Sequence, residues 1–134
     1  MSKRDGKLVY RGVKLRQATS EYPLITVRVE DKYGARILSP LPSLNLCDHT
    51  GYTTDGGRIS CFDWGPNGSK PESLQLALAI LLDSTLDKAR ALKCYYKFNW
   101  LHVKNWADSF TLDLYEIREF LVKISVEKYL QGGG

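Results

Sequence analysis

The fold of this chain is decided by the stretch FDWGPNGSKPESLQLALAILL, residues 62–82. Ser69 and Glu72 have the spacing of a capping box, and Pro71 falls in the first turn of a helix, where its missing N–H costs little. Trp64 precedes the turn at Gly65 and ends a short strand predicted over residues 59–64. The stretch therefore predicts a strand, a tight turn and a helix at the centre of the fold, and it indicates no reaction.

Three helices are predicted after this junction. In the first, over 74–82, apolar residues follow helical spacing on one side and fill much of the other, which predicts a central buried helix that contains Leu78. The second is predicted over 87–104. Its apolar residues predict a buried stripe of Ala89, Leu92, Tyr96, Trp100 and Val103. We expect Trp100 to be buried together with Trp64 and Leu78.

The third helix has the clearest start signal in the chain. Asp113 at the N-cap and Glu116 at N3 form a capping box, and Leu112 and Ile117 are placed for a hydrophobic staple. A buried stripe is predicted to follow, made by Ile117, Phe120, Leu121 and Ile124. Asp113 and Glu116 are therefore interpreted as structural residues, together with Trp64, Gly65, Ser69, Leu78 and Trp100.

The first half of the chain alternates as strands do. Ile25, Val27 and Val29 point one way while the residues between them point the other, and a turn at 31–34 predicts a hairpin over residues 22–38. Residues 8–10 predict an earlier strand. Strands followed by helices indicate an α+β fold, with a small antiparallel sheet from the N-terminal half packed on three C-terminal helices. Residues 1–131 are predicted to form a single domain, with a flexible glycine tail at 132–134.

Composition indicates a soluble intracellular protein. Of the 134 residues, 43% are apolar and 25% are charged, as in globular domains. The longest apolar run, 76–82, is far shorter than the ~20 residues of a membrane span. The charged start of the chain has no signal-peptide pattern. The three cysteines have unpatterned spacings that fit reduced thiols. We expect a cytoplasmic protein, in the host cytoplasm if it is viral, with no membrane partner.

Two groups of basic residues are candidates for binding nucleic acid or an acidic protein. Residues 1–36, which include Arg11 and Arg28, hold nine basic and four acidic residues, for a net charge of +5. On the predicted second helix, four basic residues recur at helical spacing: Arg90, Lys93, Lys97 and Lys104. Tyr95, Asn99 and Trp106 lie close by in sequence, a mixture that nucleic-acid surfaces use. Solvated outer faces of a sheet and of a helix are the alternative interpretation.

Residue patterns for catalysis or cofactor binding are weak. Cys47, His49 and Cys61 flank a loop, but the paired spacing typical of zinc ligands is missing. His102 follows Cys94 by eight residues, two helical turns, which is too far for a direct nucleophile–base contact. The segment 65–70 lacks the glycine spacing of a P-loop. We therefore predict no catalytic residue, no metal and no cofactor.

Several ordered motifs resemble a known family. They are Tyr10-Arg11-Gly12, Leu44-x-Leu46-x-x-His49, Phe62-x-Trp64-Gly65 with Gly68-Ser69, the run 75–81, Ala91 with Tyr95 or Tyr96, Phe98-x-Trp100, and Phe110-Thr111-Leu112 before Glu116-Ile117. In these the chain is similar to the domain of unknown function six-one-six-six, found in small bacterial and phage proteins. It departs from that family at the helix start, at Asn99, where lysine is common, and in the longer segment 51–58. The resemblance implies the fold and a mobile-element setting, and it implies no activity.

Two functions lead at this point, with an enzyme ranked third. The preferred one is a non-catalytic interaction module of phage or mobile-element type, which acts through a protein partner as an inhibitor of a host defence complex. The alternative is a nucleic-acid-binding accessory protein that uses the basic N-terminal sheet and the basic stripe of the second helix.

Overall fold

A computed structural model of the chain describes residues 7–15, 24–39, 62–67 and 70–132. Within these residues the elements follow in the order β1 (Leu8–Leu15), β2 (Leu24–Asp31), β3 (Gly34–Ile37), α1 (Lys70–Thr85), α2 (Lys88–Leu101), a 3₁₀ turn (Val103–Asn105), β4 (Ser109–Asp113) and α3 (Leu114–Gly132). The predicted α+β class is confirmed. The hairpin is also confirmed, since β2 and β3 are antiparallel neighbours joined at residues 32–33.

The four described strands form one antiparallel sheet in the order β3-β2-β1-β4. Strand β1 pairs with β2 from Leu8↔Asp31 onward, and its other edge pairs with β4 from Val9↔Asp113 onward. Strand β4 was not predicted, so the sheet takes an edge strand from the helical half of the chain. Strand β1 also continues through Gly12, where a Cβ atom would collide with the ring of Phe110 on β4.

The sheet buries one face and exposes the other. Tyr10, Val27, Val29 and Leu112 point inward and are buried in the core, as alternation along a strand requires. Helix α1 lies in the same core, and every residue from 73 to 81 is buried. The central buried helix is therefore confirmed, and Trp64 and Leu78 are both fully buried within the core.

Helix α2 corrects two predictions. It ends at Leu101, before the 3₁₀ turn, and not at 104. Its predicted buried stripe is wrong except for Val103, because Ala89, Leu92, Tyr96 and Trp100 are exposed. The residues that α2 buries are Ala91, Cys94, Phe98 and Asn99. Two apolar rows run along this helix, and the buried one contains the small side chains Ala91 and Cys94, which allow close packing against α1.

The strand predicted over residues 59–64 is also corrected. Residues 62–64 are not in a strand, and residues 59–61 lie outside the described ranges. Side-chain contacts position this segment, together with a hydrogen bond from the Gly65 backbone N–H to the Val103 carbonyl oxygen at 2.9 Å. The Lys14 ammonium donates to the Trp64 carbonyl oxygen at 2.6 Å and pairs with the Asp63 carboxylate. The Trp64 indole N–H donates to the Ala107 carbonyl oxygen at 2.6 Å. The segment is thereby fixed between β1 and the chain that leads into β4.

Local contacts explain the turn at Gly65 and the starts of two helices. Gly65 has φ +90°, and a Cβ atom there would lie 2.8 Å from the Trp106 carbonyl oxygen, so glycine is required. Asp87 caps α2 by accepting from the Arg90 backbone N–H at 3.0 Å. Asp113 occupies the corresponding position before α3 and accepts from the Glu116 N–H. The predicted cap at Ser69 falls outside the described residues.

Candidate interaction surface on the second helix

An apolar ridge on α2 is exposed although the sequence pattern predicted that its residues lie in the core. We call it the α2 face and define it as Ala89, Leu92, Tyr96 and Trp100. The exposed fractions are 42% for Leu92, 56% for Tyr96 and 63% for Trp100. Residues spaced by three and four positions share one side of a helix, so these side chains form a continuous row. A contiguous exposed apolar row marks an interaction site more often than scattered apolar residues do.

Basic side chains line one flank of the α2 face. All four predicted residues of the basic stripe are exposed: Arg90, Lys93, Lys97 and Lys104. The Lys104 ammonium lies over the Trp100 ring, 4.6 Å from its centroid, in a cation–π contact. Residues 88–101 contain no aspartate or glutamate. The surface is therefore an apolar row with positive charge along one flank, where Arg90, Lys93 and Lys97 lie, and at its Trp100 end.

The three residues expected to accompany the basic stripe are placed differently. Asn99 is buried on the opposite side of α2. The Trp106 ring stacks on Phe110, with 4.0 Å between centroids, and is half-buried. Tyr95 is half-buried and contacts the Tyr96 ring. The aromatic residues that lie beside the basic stripe on the surface are Tyr96 and Trp100.

Arg11 and Arg28 lie on the exposed face of the sheet, directly opposite each other on β1 and β2. The Arg11 guanidinium lies 3.4 Å from the Glu30 carboxylate and donates to the Thr111 hydroxyl at 3.4 Å. These side chains point away from the helices, because the inward residues of both strands are buried in the core. The two predicted basic groups therefore belong to different layers of the fold.

His102 packs against aromatic rings, with centroid distances of 5.1 Å to Phe98 and 5.7 Å to Phe120. Partial burial lowers the pKa of His102, and repulsion from Lys123 lowers it further. Cys94 is a buried free thiol. Among the described residues, no group of three or more histidine, cysteine, aspartate or glutamate side chains is placed to hold a metal ion. Cys47, His49 and Cys61 lie outside the described ranges.

A polar cluster that the sequence did not indicate ties the sheet to α1. The Tyr10 hydroxyl donates to an Asp83 carboxylate oxygen at 2.6 Å, and the Arg36 guanidinium lies 2.7 Å from the other oxygen. The hydrogen bond to Asp83 raises the pKa of Arg36 above its already high ordinary value. Tyr10 and Asp83 are 73 positions apart in the chain, so no local pattern could reveal this contact.

Comparison with known proteins gives a family and no activity. No curated protein and no solved structure matches the chain significantly. In the part of the chain that the structure describes, none of the helices has both the length and the apolar character needed to cross a membrane. The Tyr10-Arg11-Gly12 motif precedes the region that matches a family model, while the whole α2 face lies inside it. That model represents a family of unknown function, DUF6166, and matches residues 29–123, more than half of the chain, so the protein belongs to this family.

Proposed function

We propose that this protein is a non-catalytic interaction module that binds another protein through the α2 face. The exposure of Leu92, Tyr96 and Trp100 in one row is the observation that carries the proposal. Tryptophan, tyrosine and arginine are the residue types most enriched where binding energy concentrates, and Arg90 stands close to the row. Burying an apolar side chain of this size contributes about 1.5–3 kcal/mol, so a partner gains from covering the row.

The inhibitor role extends this proposal. The resemblance to phage-associated proteins supports a partner that belongs to a host defence complex, which the protein would block by occupying one of its surfaces. The buried free thiol of Cys94 supports action in a reducing compartment such as the cytoplasm.

Nucleic-acid binding is the second candidate. It is supported by the four exposed basic residues of the stripe and by the absence of an acidic residue between positions 88 and 101. The sheet gives this candidate less support, because Arg11 is paired with Glu30 and lies on a different layer from the stripe. A protein partner is favoured because the centre of the α2 face is apolar and includes Leu92 and Ala89, which offer no aromatic ring for a base to stack on.

The deciding experiment is affinity purification of the tagged protein from cells that naturally encode it, with and without nuclease. The proposal expects a protein partner that survives nuclease treatment, is lost with Trp100→Ala and is retained with Tyr115→Ala. Tyr115 is the matched control, because it is an aromatic residue on α3 with 72% of its surface exposed. The proposal would be contradicted by a partner that nuclease treatment releases, or by one that still co-purifies with the Trp100→Ala variant.

A further inference from the structure

Resting on the proposed function, we infer that the α2 face receives an acidic amphipathic α-helix of the partner protein. Three features of the structure support this occupant: the two-sided apolar character of α2, the spacing of the exposed ridge, and the charge beside it.

Helix α2 has apolar residues on two sides. One side, with Ala91, Cys94 and Phe98, is buried in the core next to α1. The other side is the α2 face, which no described residue covers to the point of burial. A helix that is apolar on more than one side is normally packed between neighbours. Helix α1 has this arrangement here, since it contacts α2 on one side and reaches the sheet through Asp83.

The ridge has the shape that fits another helix. Ala89, Leu92, Tyr96 and Trp100 are separated by three, four and four positions, which gives a row about 17 Å long at the rise of an α-helix. Rows with this spacing pack into the groove between side-chain rows of a second helix. An extended strand presents side chains with a period of two and would match this row poorly.

The charge beside the ridge favours a partner helix that is negatively charged. Arg90, Lys93 and Lys97 are exposed along one flank of the ridge, and the Lys104 ammonium lies over the Trp100 ring at its end. A docked helix with aspartate or glutamate beside its apolar stripe would pair with them, as flanking charges do in coiled coils, whereas a basic helix would be repelled. Single-stranded nucleic acid is also acidic, but the Lys104 ammonium already covers one face of the Trp100 ring. The observations therefore favour a helix of negative charge.

The test uses three synthetic peptides of about eighteen residues, long enough to cover the ridge. The first is amphipathic, with leucine at alternating spacings of three and four and glutamate elsewhere. The second replaces glutamate by lysine, and the third scrambles the first. Binding to the isotope-labelled protein is followed by nuclear magnetic resonance, and peptide helicity by circular dichroism. The acidic amphipathic peptide is expected to gain helicity and to shift the resonances of Leu92, Tyr96 and the Trp100 indole N–H.

Two variants make the result specific. The double variant Tyr96→Ala with Trp100→Ala is expected to lower the affinity for the acidic peptide by about tenfold or more. A tenfold change corresponds to about 1.4 kcal/mol of binding free energy. Lys93→Glu with Lys97→Glu is expected to transfer the preference to the lysine peptide. Tyr115→Ala should leave both affinities unchanged. All of these side chains are exposed, so the variants keep the core intact, and thermal unfolding verifies this.

Several results would overturn the inference. The first is a scrambled peptide that binds as tightly as the acidic amphipathic peptide, and the second is resonance shifts confined to α3. The third is a single-stranded oligonucleotide that shifts the resonances of the α2 face while the acidic peptide does not. Self-association of the protein through Trp100, seen by sedimentation, would identify a second copy as the occupant. If a native partner requires Trp100 but the acidic peptide does not compete with it, this inference fails and the proposed function stands. If the peptide binds but no native partner requires Trp100, the proposed function fails.

Discussion

The carboxylate of Asp113 accepts a hydrogen bond from the backbone N–H of Glu116 at 2.9 Å, at the point where β4 passes directly into α3. The same Asp113 is paired with Val9 in the sheet register. One residue therefore ends a strand and caps a helix. Loss of the cap is expected to destabilise the end of β4 as well as the start of α3.

Replacing Asp113 tests this cap. Asp113→Ala is expected to lower the free energy of unfolding by about 0.5–2 kcal/mol, because the Glu116 N–H loses its acceptor. Asp113→Ser should be nearly neutral, since serine is a comparable N-cap residue. Chemical denaturation of both variants gives the comparison, with Asp87→Ala as the matched cap on α2. If Asp113→Ser abolishes partner binding and leaves the melting temperature intact, the helix start is a functional surface and its structural assignment is wrong.

Truncation of Leu78 is expected to cost far more stability than truncation of Trp100. Leu78 is fully buried, so Leu78→Ala should reduce the free energy of unfolding by about 2–5 kcal/mol. Trp100→Ala removes mainly an exposed cation–π contact worth about 0.5–1 kcal/mol, and stability should change by no more than that. Denaturant titration measures both. A loss below about 0.5 kcal/mol for Leu78→Ala, the size of an ordinary surface substitution, would contradict the central position of α1.

The Tyr10–Asp83 contact predicts a cost for removing a single hydroxyl group. Tyr10→Phe is expected to destabilise the protein by about 1.5–3 kcal/mol, the range for a hydrogen bond to a charged group. Tyr115→Phe is the control, because that ring is largely exposed and its change should stay within about 0.5 kcal/mol. If the two substitutions change the free energy of unfolding equally, the hydrogen bond from Tyr10 to Asp83 does not contribute to stability.

The lowered pKa of His102 predicts that the free energy of unfolding decreases in mild acid. Its pKa in the folded protein is lowered, chiefly by burial, so below about pH 6.5 the unfolded chain binds a proton that the folded protein resists. Stability should therefore be fully present above that pH and decline as the pH falls through the lowered pKa. His102→Gln should flatten this decline. Unfolding curves between about pH 5 and pH 8 measure the slope, and an unchanged slope in the variant would remove His102 as its cause.

Salt dependence separates nucleic acid from a protein partner. If the basic stripe binds nucleic acid, affinity should fall steeply with salt. Neutralising Arg90, Lys93 and Lys97 together should then reduce the salt slope by up to about three units. Fluorescence anisotropy with a labelled oligonucleotide gives both quantities. Binding that persists unchanged in the triple variant would exclude the stripe, and no binding at low salt would exclude nucleic acid altogether.

Sequence pattern predicted the elements better than it predicted which side of an element is buried. The capping box at Asp113, the β2–β3 turn and the apolar helix around Leu78 are signals contained within a few residues, and each was recovered. Strand β4 was missed because five residues between two helices carry little periodicity, and they become a strand through pairing with β1.

The orientation of α2 could not be settled by pattern. Both Ala91-Cys94-Phe98 and Ala89-Leu92-Tyr96-Trp100 have helical spacing, and the larger side chains belong to the second row, which made it the apparent core. The choice depends on how closely α2 packs against α1, which is a tertiary property. The exposed row is also the candidate site, since residues that have the spacing of a core and are not buried are those that a partner can cover.

The pairing of Val13 with Ser109 has a consequence for the order in which the molecule forms. During synthesis, β1, β2 and β3 emerge first and can pair as neighbours, but one edge of β1 stays open until both α1 and α2 have been made. Contacts between residues so distant in sequence form slowly, and an open strand edge can pair with other chains in the meantime. Lys14 and Arg11 lie on that strand. Their charges disfavour pairing with other chains until β4 has been synthesised and has paired with β1.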